Sequence, residues 1–257
     1  MIYVVGCQPD VLGLIIVVLS LDSMGMHMDG LNFTSLNKWV FVVFGLSFAF
    51  CASLILIFLY DIDLYQLIAK EGANAELLTA IFYLLSGIIV LYLCWQRFCR
   101  GESIRSILFF VMLGMFFLFV AGEEESWGQW IFSFNTPEYV REVNYQGEVN
   151  LHNMEFFKNF RGLLDPHRVL NALVVLFGIV VPLFNKIFTR FRDFLASINF
   201  PVCPVYSSII FVFGIIYEKI GFTIMPHWAH TEISEFIFSI SFLIFSLSFY
   251  IEYKNSY

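Results

Sequence analysis

Ile104-Arg105-Ser106-Ile107-Leu108-Phe109-Phe110-Val111-Met112-Leu113-Gly114-Met115-Phe116-Phe117-Leu118-Phe119-Val120-Ala121-Gly122 is followed at once by Glu123-Glu124-Glu125. Between Arg105 and Glu123 the run carries no charge. A helix over 104–122 rises about 28 Å at ~1.5 Å per residue, close to the ~30 Å of hydrocarbon in a bilayer. Runs of the same kind recur at 39–60, 75–96, 168–190, 203–222 and 233–252. Together they predict an all-α fold, a polytopic membrane helical bundle with six transmembrane helices. A shorter apolar stretch at 11–21 is cut off from the N-terminus by Gln8-Pro9-Asp10. It reads as a seventh span, an interfacial helix or the core of an uncleaved signal. It lacks the basic flank and small-residue site of a cleaved one.

Composition agrees. Of the 257 residues, 59% are hydrophobic and 14% charged, where a soluble domain has about 25% charged. So little polar chain remains that residues 1–257 read as a single transmembrane domain, with an ordered outer-face segment at 123–167. Long apolar runs, in place of short alternating strands, exclude an outer-membrane barrel. A net charge of −7 with no Lys/Arg cluster excludes nucleic acid as a partner. The five cysteines, Cys7, Cys51, Cys94, Cys99 and Cys203, form no Cys-x-x-Cys pair. Cys51 and Cys94 sit inside apolar runs as packing residues.

The basic residues of the short connections set the orientation. Arg97, Arg100 and Arg105 separate the second and third runs, and Lys186, Arg190 and Arg192 the fourth and fifth. Lys38 precedes the first run and Lys254 follows the sixth. That side is expected in the cytoplasm. Lys70, Arg141, Lys158, Arg161, Arg168 and Lys219 lie opposite, spread over more chain and mixed with acids. The expected location is the cell inner (plasma) membrane, with the acidic segments facing the periplasm or exterior.

Four polar segments collect on that outer side. Gly122-Glu123-Glu124-Glu125-Ser126-Trp127-Gly128-Gln129 puts three carboxylates where hydrocarbon ends. Ionised acids lose solvation there, and a helix C-terminus opposes their charge. They call for a cation, a basic side chain, protonation or water, unless the helix end is simply solvated. Asn144-Tyr145-Gln146-Gly147-Glu148-Val149-Asn150-Leu151-His152-Asn153 mixes amides, an acid and an imidazole, suited to a polar head group, to metal ligation or to turns. Pro226-His227-Trp228-Ala229-His230-Thr231-Glu232-Ile233-Ser234-Glu235 holds two histidines three apart. They can share a metal if helical, although Thr231 reads as the N-cap, which places both before the helix. Glu71-Gly72-Ala73-Asn74-Ala75-Glu76 reads as a capped helix start. Thr136-Pro137-Glu138 and Asp165-Pro166 are further start signals, residues 154–160 read as an amphipathic interfacial stretch, and Pro182 predicts a kink. His152, His167, His227 and His230 all map to this side.

The Gly122-Glu123-Glu124, Ser126-Trp127-Gly128-Gln129, Thr136-Pro137-Glu138 and Asn150-Leu151-His152-Asn153 elements, with Asn144, Gln146 and Glu148, resemble a family of uncharacterised bacterial multi-pass membrane proteins. Its members carry a GEE-x-SWGQ stretch, a TPE turn and an NLHN stretch. Glu125 stands where that pattern tends to be apolar, and Trp130 where a basic residue is common, so Glu123 and Glu124 rank above Glu125. A more distant analogy is to ceramidase-like membrane hydrolases, whose zinc is held by histidines. The His-x-x-His pair here and the missing Ser-x-x-x-His element depart from that signature.

These readings predict a membrane-embedded enzyme, a metal-assisted hydrolase acting on a lipid or lipid-linked substrate at the outer face. Glu123, Glu124 and His152 are the expected acid–base groups. His152, His227, His230 and Glu124 are the expected ligands of a divalent metal, with zinc best suited to a mixed His/Glu set. Ser126, Trp127, Gln129, Asn144, Gln146, Glu148, Asn150 and Asn153 are the expected substrate contacts. The rival expectation is a transport or ion-pathway protein, or a membrane subunit of a larger assembly. The enzyme reading requires that the outer segments meet, with His152 nearest Glu123 or Glu124.

Overall fold

The computed structural model describes residues 33–69, 74–159, 165–224 and 227–255. Chain contacts separate a unit Met1–Val43 from a unit Phe44–Tyr257. Among its described residues the first contributes only the start of helix α1 (Phe33–Tyr60). The second carries α2 (Ile62–Ala69), α3 (Asn74–Cys99), α4 (Ile104–Glu124), α5 (Pro166–Ile187), α6 (Thr189–Ser197), α7 (Val205–Ile224) and α8 (Ala229–Asn255). Among the described residues there is no strand, only an isolated bridge between Asn144 and Met154.

Five helices, α3, α4, α5, α7 and α8, are long and apolar enough to cross a membrane. Six were expected. The expected first span, 39–60, falls within the 28-residue helix α1, which is not among these five. The stretch at 11–21 lies outside the described residues.

The core follows from bulk aromatics meeting small residues. Phe117, Phe211, Phe238 and Phe245 are fully enclosed, with Tyr83, Phe110 and Phe242 beside them. The largest helix–helix interface joins α3 and α4, and α8 packs along both α3 and α7. Gly87 and Gly114 permit the first of these. A Cβ on Gly87 would stand 3.1 Å from the Gly114 carbonyl oxygen and 2.7 Å from Leu118. In lipid, where no hydrophobic force drives helices together, close backbone approach through small residues supplies the dispersion contact.

Helix ends explain the remaining departures from expectation. Asp165 caps α5 as its spacing predicts, accepting from the Arg168 N–H at 3.1 Å with Pro166 in the first turn. Pro182 lacks the N–H that Gly178 would accept, and the helix widens ahead of it into a π turn over Leu176–Val180, where the Val181 N–H reaches the Leu176 carbonyl. Thr231 is not the N-cap of α8. The helix starts earlier, at Ala229, because the His227 ring caps it, its Nδ1 accepting from the Ala229 N–H at 3.2 Å. His230 therefore belongs to the first turn. Thr136 is not a cap either: its hydroxyl donates to the Gly147 carbonyl at 2.6 Å, and the short helix Glu138–Arg141 has no side-chain cap.

Candidate functional site

At the end of α4 the chain reverses within a few residues. Ser126 and Trp127 both hold left-handed backbone, at φ 45° and 55°, before Gly128 at 85°. For residues with a Cβ this costs roughly 1–2 kcal/mol each, so something must enforce it. Glu123 is that constraint. Its Oε1 accepts from Trp127 Nε1 at 2.6 Å, and its Oε2 from the backbone N–H groups of Leu151 and His152 at 2.6 and 3.0 Å. His152 Nδ1 stands 3.4 Å from the same oxygen. The Trp127 ring lies over Gly122, where a Cβ would approach to 2.9 Å. One buried carboxylate thus ties the helix end to a loop nearly thirty positions later, through donors that suit an ionised acceptor.

The polar loop closes on itself. Ser126 Oγ donates to Glu148 Oε2 at 2.7 Å, and Asn150 Nδ2 donates to both at 3.0 Å. Asn144 Nδ2 donates to the Asn150 carbonyl and Oδ1, each at 2.9 Å, while its own Oδ1 accepts from the Gln146 N–H at 3.0 Å. Gln129 bridges the Val149 N–H and the Thr136 hydroxyl, and Tyr145 donates to Asn153. Ser126, Asn144, Glu148, Asn150 and Asn153 are all buried. These expected substrate contacts satisfy one another and make the segment a folded lid. Trp127 is half exposed.

Glu124, one position along the helix, turns the other way. The carboxylates of Glu235, Glu232, Glu76 and Glu123 act on it electrostatically. Tyr83 lies near enough to feel both Glu124 and Glu235. Among the described residues Glu124 has no hydrogen-bond or ion-pair partner. His152 faces the same group of charges. Burial works against its imidazolium, but the Glu123 hydrogen bond and the charges of Glu235, Glu123 and Glu76 outweigh it, so its pKa stands above the ordinary value. His152 thus lies 3.4 Å from Glu123, and the charges of Glu76 on α3 and Glu235 on α8 act on it.

Two further clusters lie at this end. His167 Nδ1 is 2.8 Å from Glu235 Oε1, and its Nε2 is 3.2 Å from Glu218 Oε1. Asn171 and Ser234 also donate to Glu218. Sequence reading passed over His167, Glu218 and Glu235 as site residues. The available signal was a lone acid, Glu218, within an apolar span, which is costly unless partnered. In the other cluster, the buried ring of His230 meets Tyr65 through Nδ1 at 2.8 Å, and Tyr65 meets Tyr217 at 2.7 Å. Burial pushes the Tyr65 phenol up to about 12.

His152, His227, His230 and Glu124 do not gather as a ligand set. His227 and His230 have ring centroids 6.3 Å apart, but His227 caps α8 and reaches Gln66, His230 is held by Tyr65, and His152 faces Glu123. Among the described residues no group of three or more His, Cys, Asp or Glu is arranged to hold a metal ion. No protein-family model, curated protein or solved structure matches the chain.

Proposed function

We propose that the protein is a membrane-embedded enzyme that hydrolyses a lipid or lipid-linked substrate at its acidic end. The observation that carries this reading is Glu124: a carboxylate with no hydrogen-bond or ion-pair partner among the described residues, next in sequence to Glu123 and set among other acids. The lid favours a lipid substrate, because Trp127, Ile131, Phe132, Tyr139 and Phe156 expose apolar surface next to the cluster.

The chemistry is built from these side chains, since among the described residues no group of three or more His, Cys, Asp or Glu is arranged to hold a metal. Glu124 takes a proton from water as the oxygen attacks the substrate's carbonyl or phosphoryl centre. Glu123 orients His152 through Nδ1, so that Nε2–H gives its proton to the departing oxygen. Glu124 then returns its proton to the imidazole. The ion-pathway alternative is less well supported. Between the acidic end and the Arg97–Arg100 end, the buried interior holds Phe110, Phe117, Phe211, Phe238, Phe242 and Phe245 beside Tyr83 and the hydroxyls of Ser86, Ser207, Ser239, Ser241 and Ser246, and among the described residues no carboxylate or histidine.

Glu124→Gln keeps the shape and removes the basicity. Purified protein in nanodiscs made from native lipid extract, followed by mass spectrometry of products, is expected to lose about 10²–10⁴-fold in turnover with this variant. Retained turnover overturns the role of Glu124. Absence of turnover in the wild type, with proton flux in liposomes that Glu124→Gln abolishes, replaces the enzyme with the ion pathway.

A further inference from the structure

Tyr92, Trp95, Gln96, Cys99 and Arg100 line a cavity of about 260 Å³ at the end of α3 remote from Glu76. Their spacing puts them on one face, because positions three and four apart are neighbours on a helix. Arg100, just past the last residue of α3, keeps the helical register, its N–H reaching the Gln96 carbonyl at 3.2 Å. Helix α8 stands alongside. Its Tyr250 ring centroid lies 6.2 Å from that of Tyr92, and the Arg100 guanidinium sits 4.7 Å over its Tyr253 ring. Lys254 follows in sequence, its Nζ 5.9 Å from the Tyr250 centroid.

Both helices carry the same order of chemistry along their length. On α3 the line Arg100, Gln96, Tyr92 continues at intervals of four through Ile88 and Leu84, both exposed. On α8 the exposed Ile251 and Leu247 lie three and seven positions before Lys254. Each stripe therefore runs from a cation, past aromatic rings, to bare aliphatic surface. Rings of this kind settle at the level of lipid headgroups, and aliphatic surface beyond them faces acyl chains. A free phosphate would need the cations alone, whereas an amphiphile uses the whole stripe. The nearest acids in sequence act elsewhere. Glu102 holds Arg97 at 2.8 Å, and Glu252 acts on Tyr206 of α7. Gln96 and Tyr92 meet at 2.8 Å through Nε2 and the hydroxyl. Whichever way the amide is set, that pair keeps a hydrogen to offer an anion.

We propose that this groove between α3 and α8 binds one phospholipid with an anionic headgroup. The Arg100 fork takes two phosphate oxygens, a geometry that an ammonium cannot reproduce. Lys254 adds the second positive charge, and the Gln96–Tyr92 pair donates to a remaining oxygen. Trp95 and Tyr92 flank the glycerol, and the acyl chains lie along Ile88, Leu84 and Leu247. The cavity is near the ~300 Å³ lower end of small-molecule sites, so it takes the headgroup and leaves the chains outside. The proposal does not rest on the reading of Glu124, which belongs to the other end of the bundle.

The test is native mass spectrometry of the full-length protein in mild detergent, with added phosphatidylglycerol or phosphatidylcholine of identical acyl chains. One phosphatidylglycerol is expected to bind about fivefold or more tighter than phosphatidylcholine, the worth of one basic side chain at an anionic surface. Arg100→Gln is expected to abolish that preference. Arg105→Gln, which removes the same charge from an exposed position outside the groove, is expected to keep it. Both arginines are exposed, so neither variant tests folding. Equal affinity for the two lipids in the wild type overturns the proposal. So does an equal loss in the two variants, which would assign the preference to the charge of this end as a whole. Trp95→Ala should weaken both lipids, and unchanged affinities would move the lipid off this groove. Inorganic phosphate at millimolar concentration should leave the bound phosphatidylglycerol in place. Its displacement would make this a phosphate site and remove the lipid.

Discussion

Glu123, Glu124 and Glu125 are chemically alike and adjacent, yet a helix turns about 100° per residue and gives each a different surrounding. Glu123 anchors the lid, Glu124 faces the acid cluster, and Glu125 ends the helix, its N–H reaching the Ala121 carbonyl. The sequence carried the cost of three acids at a hydrophobic helix end, but not this division, because the lid's donors at Leu151 and His152 come from distant chain. Trp127→Phe removes the indole N–H from buried Glu123 while keeping the ring over Gly122. A loss of about 1–3 kcal/mol is expected, the cost of an unsatisfied buried acceptor, read from denaturant unfolding in mild detergent. His152 adds a pH dependence. Its folded pKa is raised, so its contribution to stability is complete below the unfolded value near ~6.5 and disappears as pH rises through the folded value. Melting temperatures from pH 5 to pH 9 should show this decline, and His152→Gln should flatten it. An unchanged slope in that variant would assign the titration elsewhere.

At the scale of the element, apolar run length located α3, α4, α5, α7 and α8 to within a few residues, since crossing hydrocarbon imposes both length and composition. Caps were less legible. Asp165-Pro166 acts as its spacing implies. Thr231 yields to His227, whose side-chain nitrogen does the same work two positions ahead of α8's first residue. The π turn in α5 followed from Pro182 only as an unspecified kink. Within that turn Gly178 lets α5 approach α7: a Cβ there would come within 2.4 Å of Phe211 Cδ2. Phe211 cannot retreat, because it is fully buried with its ring centroid 4.7 Å from that of Phe242. Gly178→Ala is therefore expected to destabilise by about 1–3 kcal/mol through overpacking. Gly45→Ala, on α1 with no described atom within 4 Å of the new Cβ, is the control. It should be neutral or stabilising by up to ~1 kcal/mol. Equal effects from the two substitutions would mean that the α5–α7 approach is not tight.

For the whole molecule, the alternation of spans brings the acids together at one end of the bundle and Arg97, Arg100 and Lys254 at the other. There Arg100 lies 4.7 Å over the Tyr253 ring and Lys254 5.9 Å over Tyr250. The shared side was readable from parity, whereas the meeting of His167, Glu218 and Glu235 was not, because their separations of 51 and 68 positions carry no local pattern. The basic connections carry an expectation for which end faces the cytoplasm, because Lys and Arg in short loops tend to be retained on the inner side. The prediction is that the Arg97–Arg105 connection is cytoplasmic and the lid external. Single-cysteine labelling in intact cells tests it, after replacement of Cys7, Cys51, Cys94, Cys99 and Cys203. Asn144 is a poor reporter because it is buried in the lid, whereas Tyr139 is 73% exposed and Arg105 is also exposed. A membrane-impermeant maleimide should label Tyr139→Cys in intact cells and Arg105→Cys only after permeabilisation. The opposite pattern would turn Glu124 and His152 towards the cytoplasm, and the substrate would then have to come from the inner leaflet.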